Sequence, residues 1–176
     1  MSKRRRVFSL AGIDFFATRL AVLSGGFFFM LGVAVTLAEQ ADRQIGEIAR
    51  IGAVYGLILF FSNMIHSLGH LIAGKLVGAS KGALVVTSTF HINYHLCDSA
   101  ICTKWKHIGR SLGGPSANLL VGLIAAVMCS TTDSRWLHFM GDVNIIVGVC
   151  LLLPLPRIDG WVIWGELLGF SRRANK

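Results

Sequence analysis

Two histidines four residues apart, His66 and His70, lie within the apolar stretch "MIHSLGH" of residues 64–70. On an α-helix, positions i and i+4 lie on one face about one turn apart, so both imidazoles can reach one metal ion. Ionisable side chains in so apolar a segment are costly and are functional candidates by default. The pair therefore predicts a metal-binding face on a helix. The alternative is that the two imidazoles only hydrogen-bond inside a helix bundle.

A third ligand is predicted in "LPLPRIDGW", residues 153–161. Pro154 and Pro156 would break or unwind the end of a preceding helix, and Gly160 allows a close backbone turn directly after Asp159. Two histidines and a carboxylate with one open position describe a catalytic type of zinc site. His66, His70 and Asp159 are therefore the predicted ligands of a Zn²⁺ ion.

The elements that must position these residues are predicted to be membrane helices. The chain has 176 residues, of which 53% are hydrophobic and 15% charged, against about 25% charged in soluble domains. Charge-free runs of 19, 24 and 22 residues occupy 20–38, 51–74 and 111–132, and about 20 apolar residues cross a bilayer. A fourth span is predicted at 137–156, although Asp142 interrupts its start. The expected fold is an all-α integral membrane protein with four transmembrane helices.

The net charge of +8 does not indicate nucleic acid. With four spans and a cytoplasmic amino terminus, only Arg43, Arg50 and Arg135 of the 17 basic residues face away from the cytoplasm. The positive-inside rule explains this distribution. We therefore expect a multi-pass protein of the bacterial inner membrane with both termini cytoplasmic, in contact with lipid and with other membrane subunits.

The loop 77–109 is predicted to form a small β element on the cytoplasmic side, because "KGALVVTSTFHINYH" is rich in β-branched and aromatic residues. Its potential metal ligands, His91, His95, Cys97, Cys102 and His107, match no common zinc spacing. These side chains are expected to be solvated or packed, with a second metal site as the alternative. No disulfide is expected, because a cytoplasmic loop normally keeps its thiols reduced.

A further motif, "GGPSANLLVG" at residues 113–122, is expected to open the third span. Asn118 would place an amide at a membrane depth where it must find a hydrogen-bond partner. Gly114, Ser116 and Ala117 are small enough for close helix packing.

Together these motifs resemble the site-2 protease family of intramembrane zinc metallopeptidases. H-x-x-x-H in one span, a β-rich cytoplasmic insertion, G-P-x-x-N in the next span and P-x-P-x-x-D-G after the last occur in the family's order over residues 56–165. The resemblance implies that His66, His70 and Asp159 are zinc ligands and that Asn118 helps to hold a substrate strand docked against the β insertion.

Two departures from the family pattern weaken the prediction of an enzyme. The family's H-E-x-x-H has Ser67 here in place of the glutamate that accepts a proton from the zinc-bound water. Serine is a poor base near neutral pH, and general acid–base catalysis is worth about 10²- to 10⁴-fold. The family's asparagine three residues before the first proline is Leu151 here. Glu166 lies several residues past the ligand turn and is not expected to replace the base.

The predicted organisation is a basic cytoplasmic segment at 1–19, a site-2-protease-like membrane domain at 20–165 and a basic tail at 166–176. The predicted function is that of a membrane protein that has lost peptidase activity and serves as an accessory or structural subunit of a complex. Two alternatives stay open: an active metallopeptidase with a relocated or altered base, and a subunit whose histidines ligate haem or chlorophyll.

Overall fold

The computed structural model describes residues 5–10, 13–19, 21–78, 81–86, 91–96 and 103–169. These residues form five helices and four short strands. The helices are α1 (Ala21–Gln40), α2 (Ile45–Leu76), α3 (Lys104–Cys129), α4 (Arg135–Cys150) and α5 (Asp159–Leu168). The strands are β1 (Arg5–Leu10), β2 (Ile13–Ala17), β3 (Lys81–Val86) and β4 (His91–Leu96).

Three of the described helices, α1, α2 and α3, are long and apolar enough to cross a membrane. The fourth predicted span, at 137–156, is not confirmed, because α4 has 16 residues. At 1.5 Å per residue it reaches about 24 Å, less than the ~30 Å of a hydrocarbon core. The helix ends at Cys150, since Pro154 has no N–H to bond to the Cys150 carbonyl and its ring would crowd that group.

The third span also begins earlier than its motif suggests. The sequence predicts the third span at 111–132, opened by the motif that contains Pro115, whereas α3 begins at Lys104 and carries Pro115 in its interior. Proline there removes the hydrogen bond to the Ser111 carbonyl. Such a gap is tolerated in membrane helices because neighbouring groups satisfy the freed carbonyl.

The four strands form one sheet in the order β1-β2-β3-β4. The two outer pairs are antiparallel, while β2 and β3 are parallel, with Phe16 opposite Val85. A parallel pair needs a long crossover, and the hairpin of α1 and α2 supplies it by returning the chain to the same end of the bundle. Residues 5–10 and 13–17, which the sequence places in a basic segment without predicted structure, therefore supply half of the sheet.

The sheet packs against the last turns of α2. Ile13 and Leu84 form a buried cluster with Leu71, and Leu68 and Phe15 pack against it. Because Leu68 and Leu71 flank His70 in sequence, this apolar contact fixes the end of α2 that carries the two histidines.

Candidate metal centre

The two histidines and Asp159 meet as predicted. His66 and His70 lie one turn apart on α2, and Asp159 is the first residue of α5. The Nε2 atoms of the two imidazoles are 3.0 Å apart. His66 Nε2 is 3.2 Å from one Asp159 carboxylate oxygen, and His70 Nε2 is 3.2 Å from the other. One potential ligand atom from each of the three residues thus lies within 4.8 Å of the other two.

This convergence fits a tetrahedral cation. Ligands held about 2.0–2.2 Å from zinc lie roughly 3.3–3.6 Å from one another. The two Nε2 atoms are 3.0 Å apart, and each lies 3.2 Å from a different oxygen of the Asp159 carboxylate. His66, His70 and Asp159 are therefore close enough together to hold one zinc ion.

The hydrogen bond of His70 Nδ1 selects a tautomer in which Nε2 can bind a metal ion. Its Nδ1 lies 2.9 Å from the Arg110 carbonyl oxygen, which accepts a hydrogen bond from a protonated Nδ1. The Gly114 N–H also approaches Nδ1, but at 3.3 Å, and would need the opposite tautomer. With the shorter bond in place, Nε2 is the atom of His70 that faces Asp159: it can donate to the carboxylate when it carries a proton, and it can bind a metal ion when it does not. Metal-ligating histidines are commonly fixed by such a bond to a backbone carbonyl.

His66 is held differently. Its Nδ1 is buried and has no hydrogen-bond partner among the described residues. Its ring lies instead against the backbone of Gly114, where a Cβ would stand 2.5 Å from both His66 Cε1 and His70 Nε2. Packing on Gly114 therefore replaces a hydrogen bond as the restraint on this imidazole.

The close approach of α3 to α2 depends on a pair of glycines, one on each helix. A Cβ on Gly69 would lie 2.3 Å from the Gly113 carbonyl oxygen, and one on Gly113 would lie 2.3 Å from that of Gly69. The α2 and α3 backbones thus touch where the histidines face α3. This contact brings Gly114 onto the imidazoles and the Arg110 carbonyl to His70.

Asp159 is positioned by the turn between α4 and α5. The Gly160 N–H donates to the Leu151 carbonyl at 2.7 Å, and Trp164 Nε1–H donates to the Leu152 carbonyl at 2.9 Å. A Cβ on Gly160 would lie 1.9 Å from the Leu153 carbonyl oxygen, so only glycine fits. The turn folds back on itself after α4, so that α5 packs against α3 and Asp159 faces α2.

The charge state of Asp159 follows from its neighbours. Burial raises the pKa of its carboxyl, but hydrogen bonds and charge interactions with His66 and His70 outweigh burial and hold the pKa at about 2. The group is therefore ionised throughout the neutral range. An ionised carboxylate can ligate a metal ion, and a carboxylate of so low a pKa is a poor proton acceptor.

A cavity of about 690 Å³ adjoins the three side chains. Ser67, which is 3% exposed, and Asn118, which is fully buried, both line it. Neither amide atom of Asn118 has a hydrogen-bond partner among the described residues. An unsatisfied amide facing a cavity is suited to bonding a polar group that enters it.

No protein-family model and no curated protein sequence matches this chain. Among solved structures it is similar to "Site-2 Protease from Methanocaldococcus jannaschii", with a TM-score of 0.61 at 19% sequence identity. The match covers 94% of this chain and 72% of that one. This chain has the fold of a site-2 protease.

Within this site-2 protease fold, Ser67 lies between the two histidines in the position predicted for the missing glutamate, and Leu151 lines the cavity. Glu166 lies on α5 and is not among the residues that line the cavity. Asp142 lines separate pockets with His138. Neither acid takes the place of the glutamate.

The alternative second metal site lies largely outside what the structure describes. Cys97 and Cys102 are not among the described residues, and the same holds for the side chains of His91 and His95 on β4. His107 lies in the first turns of α3.

Sequence reasoning missed two residues near the site. Asn144 is fully buried on α4 and donates from Nδ2 to Ser62 Oγ at 2.9 Å and to the Met140 carbonyl at 2.8 Å. Arg157 lines the cavity with its backbone at φ 70°. Asn144 could have been found in the sequence, because an asparagine within an apolar run is a detectable signal. Arg157 could not, because its distinguishing feature is a backbone angle that the residue type does not reveal.

Proposed function

We propose that this chain is a catalytically inactive relative of the site-2 proteases that retains the zinc-binding frame and acts as an accessory or structural subunit of a membrane complex. The proposed location is a bacterial inner membrane, with α4 and the turn that follows it as the fourth span and both termini cytoplasmic. Zn²⁺, bound by His66, His70 and Asp159, would stabilise the junction of α2 and α5.

The observation that carries this proposal is the set of acids at the cavity. Among the described residues that line it, Asp159 is the one carboxylate. That group faces both imidazoles and has a pKa of about 2, while Ser67 offers only a neutral hydroxyl. Zinc in such a site lowers the pKa of bound water, but the described cavity lining offers no second carboxylate to accept the proton.

The fold's outer surface is consistent with a role in packing. Leu120, Leu123 and Val127 project from α3 at helical spacing and are 59%, 60% and 62% exposed. Such a face suits lipid tails or the helix of another subunit.

Metal analysis tests the zinc frame. Purified wild-type protein is expected to carry close to one zinc per chain, and Asp159→Ala and His66→Ala far less. His138→Ala is the matched control, because His138 is an exposed histidine whose nearest acid is Asp133. Equal, negligible zinc in wild type and Asp159→Ala would contradict the metal frame.

A cleavage assay tests the loss of activity separately. Wild-type protein with added zinc is expected to leave transmembrane peptide substrates intact. A zinc-dependent product that His66→Ala abolishes would establish an active peptidase and overturn the proposal. The variant Ser67→Glu tests whether the catalytic glutamate is the one group that is missing. Gain of cleavage in that variant would locate the loss of activity at Ser67.

A further inference from the structure

The cavity beside the three side chains is lined by a cationic group and by several apolar side chains. Phe28 from α1, Leu59 from α2, and Val143, Ile146 and Val147 from α4 line its apolar part. Its volume of about 690 Å³ lies within the roughly 300–1,000 Å³ of small-molecule pockets. The polar end carries Arg157 beside Asp159.

The backbone at Arg157 is unusual. Its φ of 70° lies in the left-handed region, and it is the only described residue other than glycine with a positive φ. A side chain with a Cβ is disfavoured there, and glycine or asparagine is the ordinary choice. An outlier of this kind, at the rim of a cavity, is reason to look for a function of the side chain itself.

The guanidinium is available for a ligand. Arg157 is exposed while lining the cavity, which places it at the mouth. The described residues give it no ion pair or hydrogen bond. Asp159, the nearest acid in sequence, is already held by His66 and His70 and also interacts electrostatically with the Arg110 guanidinium. Within the described lining of the cavity, the charge of Arg157 is therefore uncompensated.

Ser67 favours an anionic ligand because its hydroxyl carries no charge. A glutamate at this cavity-lining position would place a second negative charge in the cavity beside Asp159 and repel an anion, whereas a hydroxyl does not.

We infer that the cavity binds a single-chain amphiphile with a carboxylate head, such as a fatty acid. The head would form a charge-assisted hydrogen bond with Arg157, and the acyl chain would lie along the apolar wall formed by α1, α2 and α4. This ligand site goes beyond the proposed accessory function. It rests on Arg157 and the cavity, not on zinc.

Displacement of a fluorescent fatty-acid analogue from the protein in phosphatidylcholine nanodiscs tests the inference. At about pH 8 the carboxylate is ionised, and dodecanoate is expected to compete roughly tenfold better than dodecanol, the gain from one charge-assisted contact. Arg157→Gln is expected to remove that preference, and Arg157→Lys to retain most of it. Arg50→Gln is the matched control, because Arg50 is an exposed arginine on α2 outside the cavity.

The variant Arg157→Gly distinguishes the effect of the guanidinium charge from the effect of the backbone conformation at this residue. Glycine accepts the left-handed φ, so this variant is expected to melt no lower than Arg157→Gln while losing the same preference for dodecanoate. Equal competition by dodecanoate and dodecanol in wild type, or an unchanged preference in both variants, would overturn the inference. Stronger competition by a hydrophobic peptide with a free carboxyl terminus would assign the site to peptide ends and overturn the acyl-chain assignment. Because the readout is ligand competition, its failure leaves the zinc and cleavage tests unaffected.

Discussion

The contact between Gly114 and the two imidazoles gives the most discriminating prediction, because Gly114 itself offers no ligand atom. A methyl group at this position would stand 2.5 Å from His66 Cε1, 2.5 Å from His70 Nε2 and 2.7 Å from His66 Nε2. Ordinary contacts of a Cβ begin at 3.4 Å. The rings in Gly114→Ala must therefore move by about 0.9 Å, the difference between 3.4 and 2.5 Å, or α3 must withdraw.

A displacement of this size is large for a metal site, where ligand distances hold to within about 0.2 Å. Loss of a group that orients a ligand typically costs about 10- to 100-fold in metal affinity, so Gly114→Ala is expected to weaken zinc binding by at least that much. Overpacking of this kind costs about 1–3 kcal/mol of unfolding free energy, so the variant should remain folded.

Competition with a chelator of known zinc affinity measures the effect. Gly26→Ala is the matched control, since Gly26 lies within α1 and a Cβ added there would meet nothing within 4 Å. Circular dichroism of both variants in the same detergent reports folding. Zinc affinity in a folded Gly114→Ala protein equal to that of Gly26→Ala would refute the idea that α3 packing holds the imidazoles in place.

Three other predictions follow from contacts of the same region. Gly160→Ala should lower zinc content and the melting temperature together, because its Cβ would lie 1.9 Å from the Leu153 carbonyl oxygen; a variant with normal zinc would show that the turn does not position Asp159. Asn144→Leu and Ser62→Ala, with the double variant, should give a coupling of about 0.6–1.7 kcal/mol in detergent unfolding, and additivity would contradict the hydrogen bond at 2.9 Å. With zinc chelated, Asp159→Asn should be about 2 kcal/mol less stable than wild type at neutral pH, because the pKa of the Asp159 carboxyl falls from 3.8 in the unfolded chain to about 2 in the folded one. A lowered carboxyl pKa stabilises the folded state at any pH above the pKa of the unfolded chain. The difference in stability should therefore vanish as the pH falls from about 4 to 2, and a constant difference across that range would contradict the prediction.

Helix periodicity, proline chemistry and hydropathy indicate which residues meet. His66 and His70 share a helix face at any helix position because of their spacing, and Asp159 follows two prolines that stop α4 whatever its neighbours are. The apolar runs also predict the three long helices. These are local properties of the chain, and the structure brings the three side chains together as the sequence indicates.

Other features depend on contacts between distant segments. Residues 5–10 and 13–17 become strands because β3 offers β2 a parallel edge, and no periodicity in "RRVFSLAGIDFFA" specifies that partner. The fourth span predicted at 137–156 is not confirmed, because an apolar run does not distinguish the helix, which ends at Cys150, from the turn that follows it. The third span is predicted to begin at residue 111, whereas α3 already begins at Lys104 and continues through Pro115.

The donor set of this protein follows from its amino-acid order alone: two imidazoles on one helix face, a carboxylate after a proline-rich turn, and a serine where the base would stand. The folded bundle was needed to show that Gly114 supports His66, that the Arg110 carbonyl sets the His70 tautomer, and that the described lining leaves Arg157 unpaired at the cavity mouth. Ligand identity is a property of side-chain type and local spacing, whereas orientation, protonation and accessibility arise from backbones that meet across the bundle.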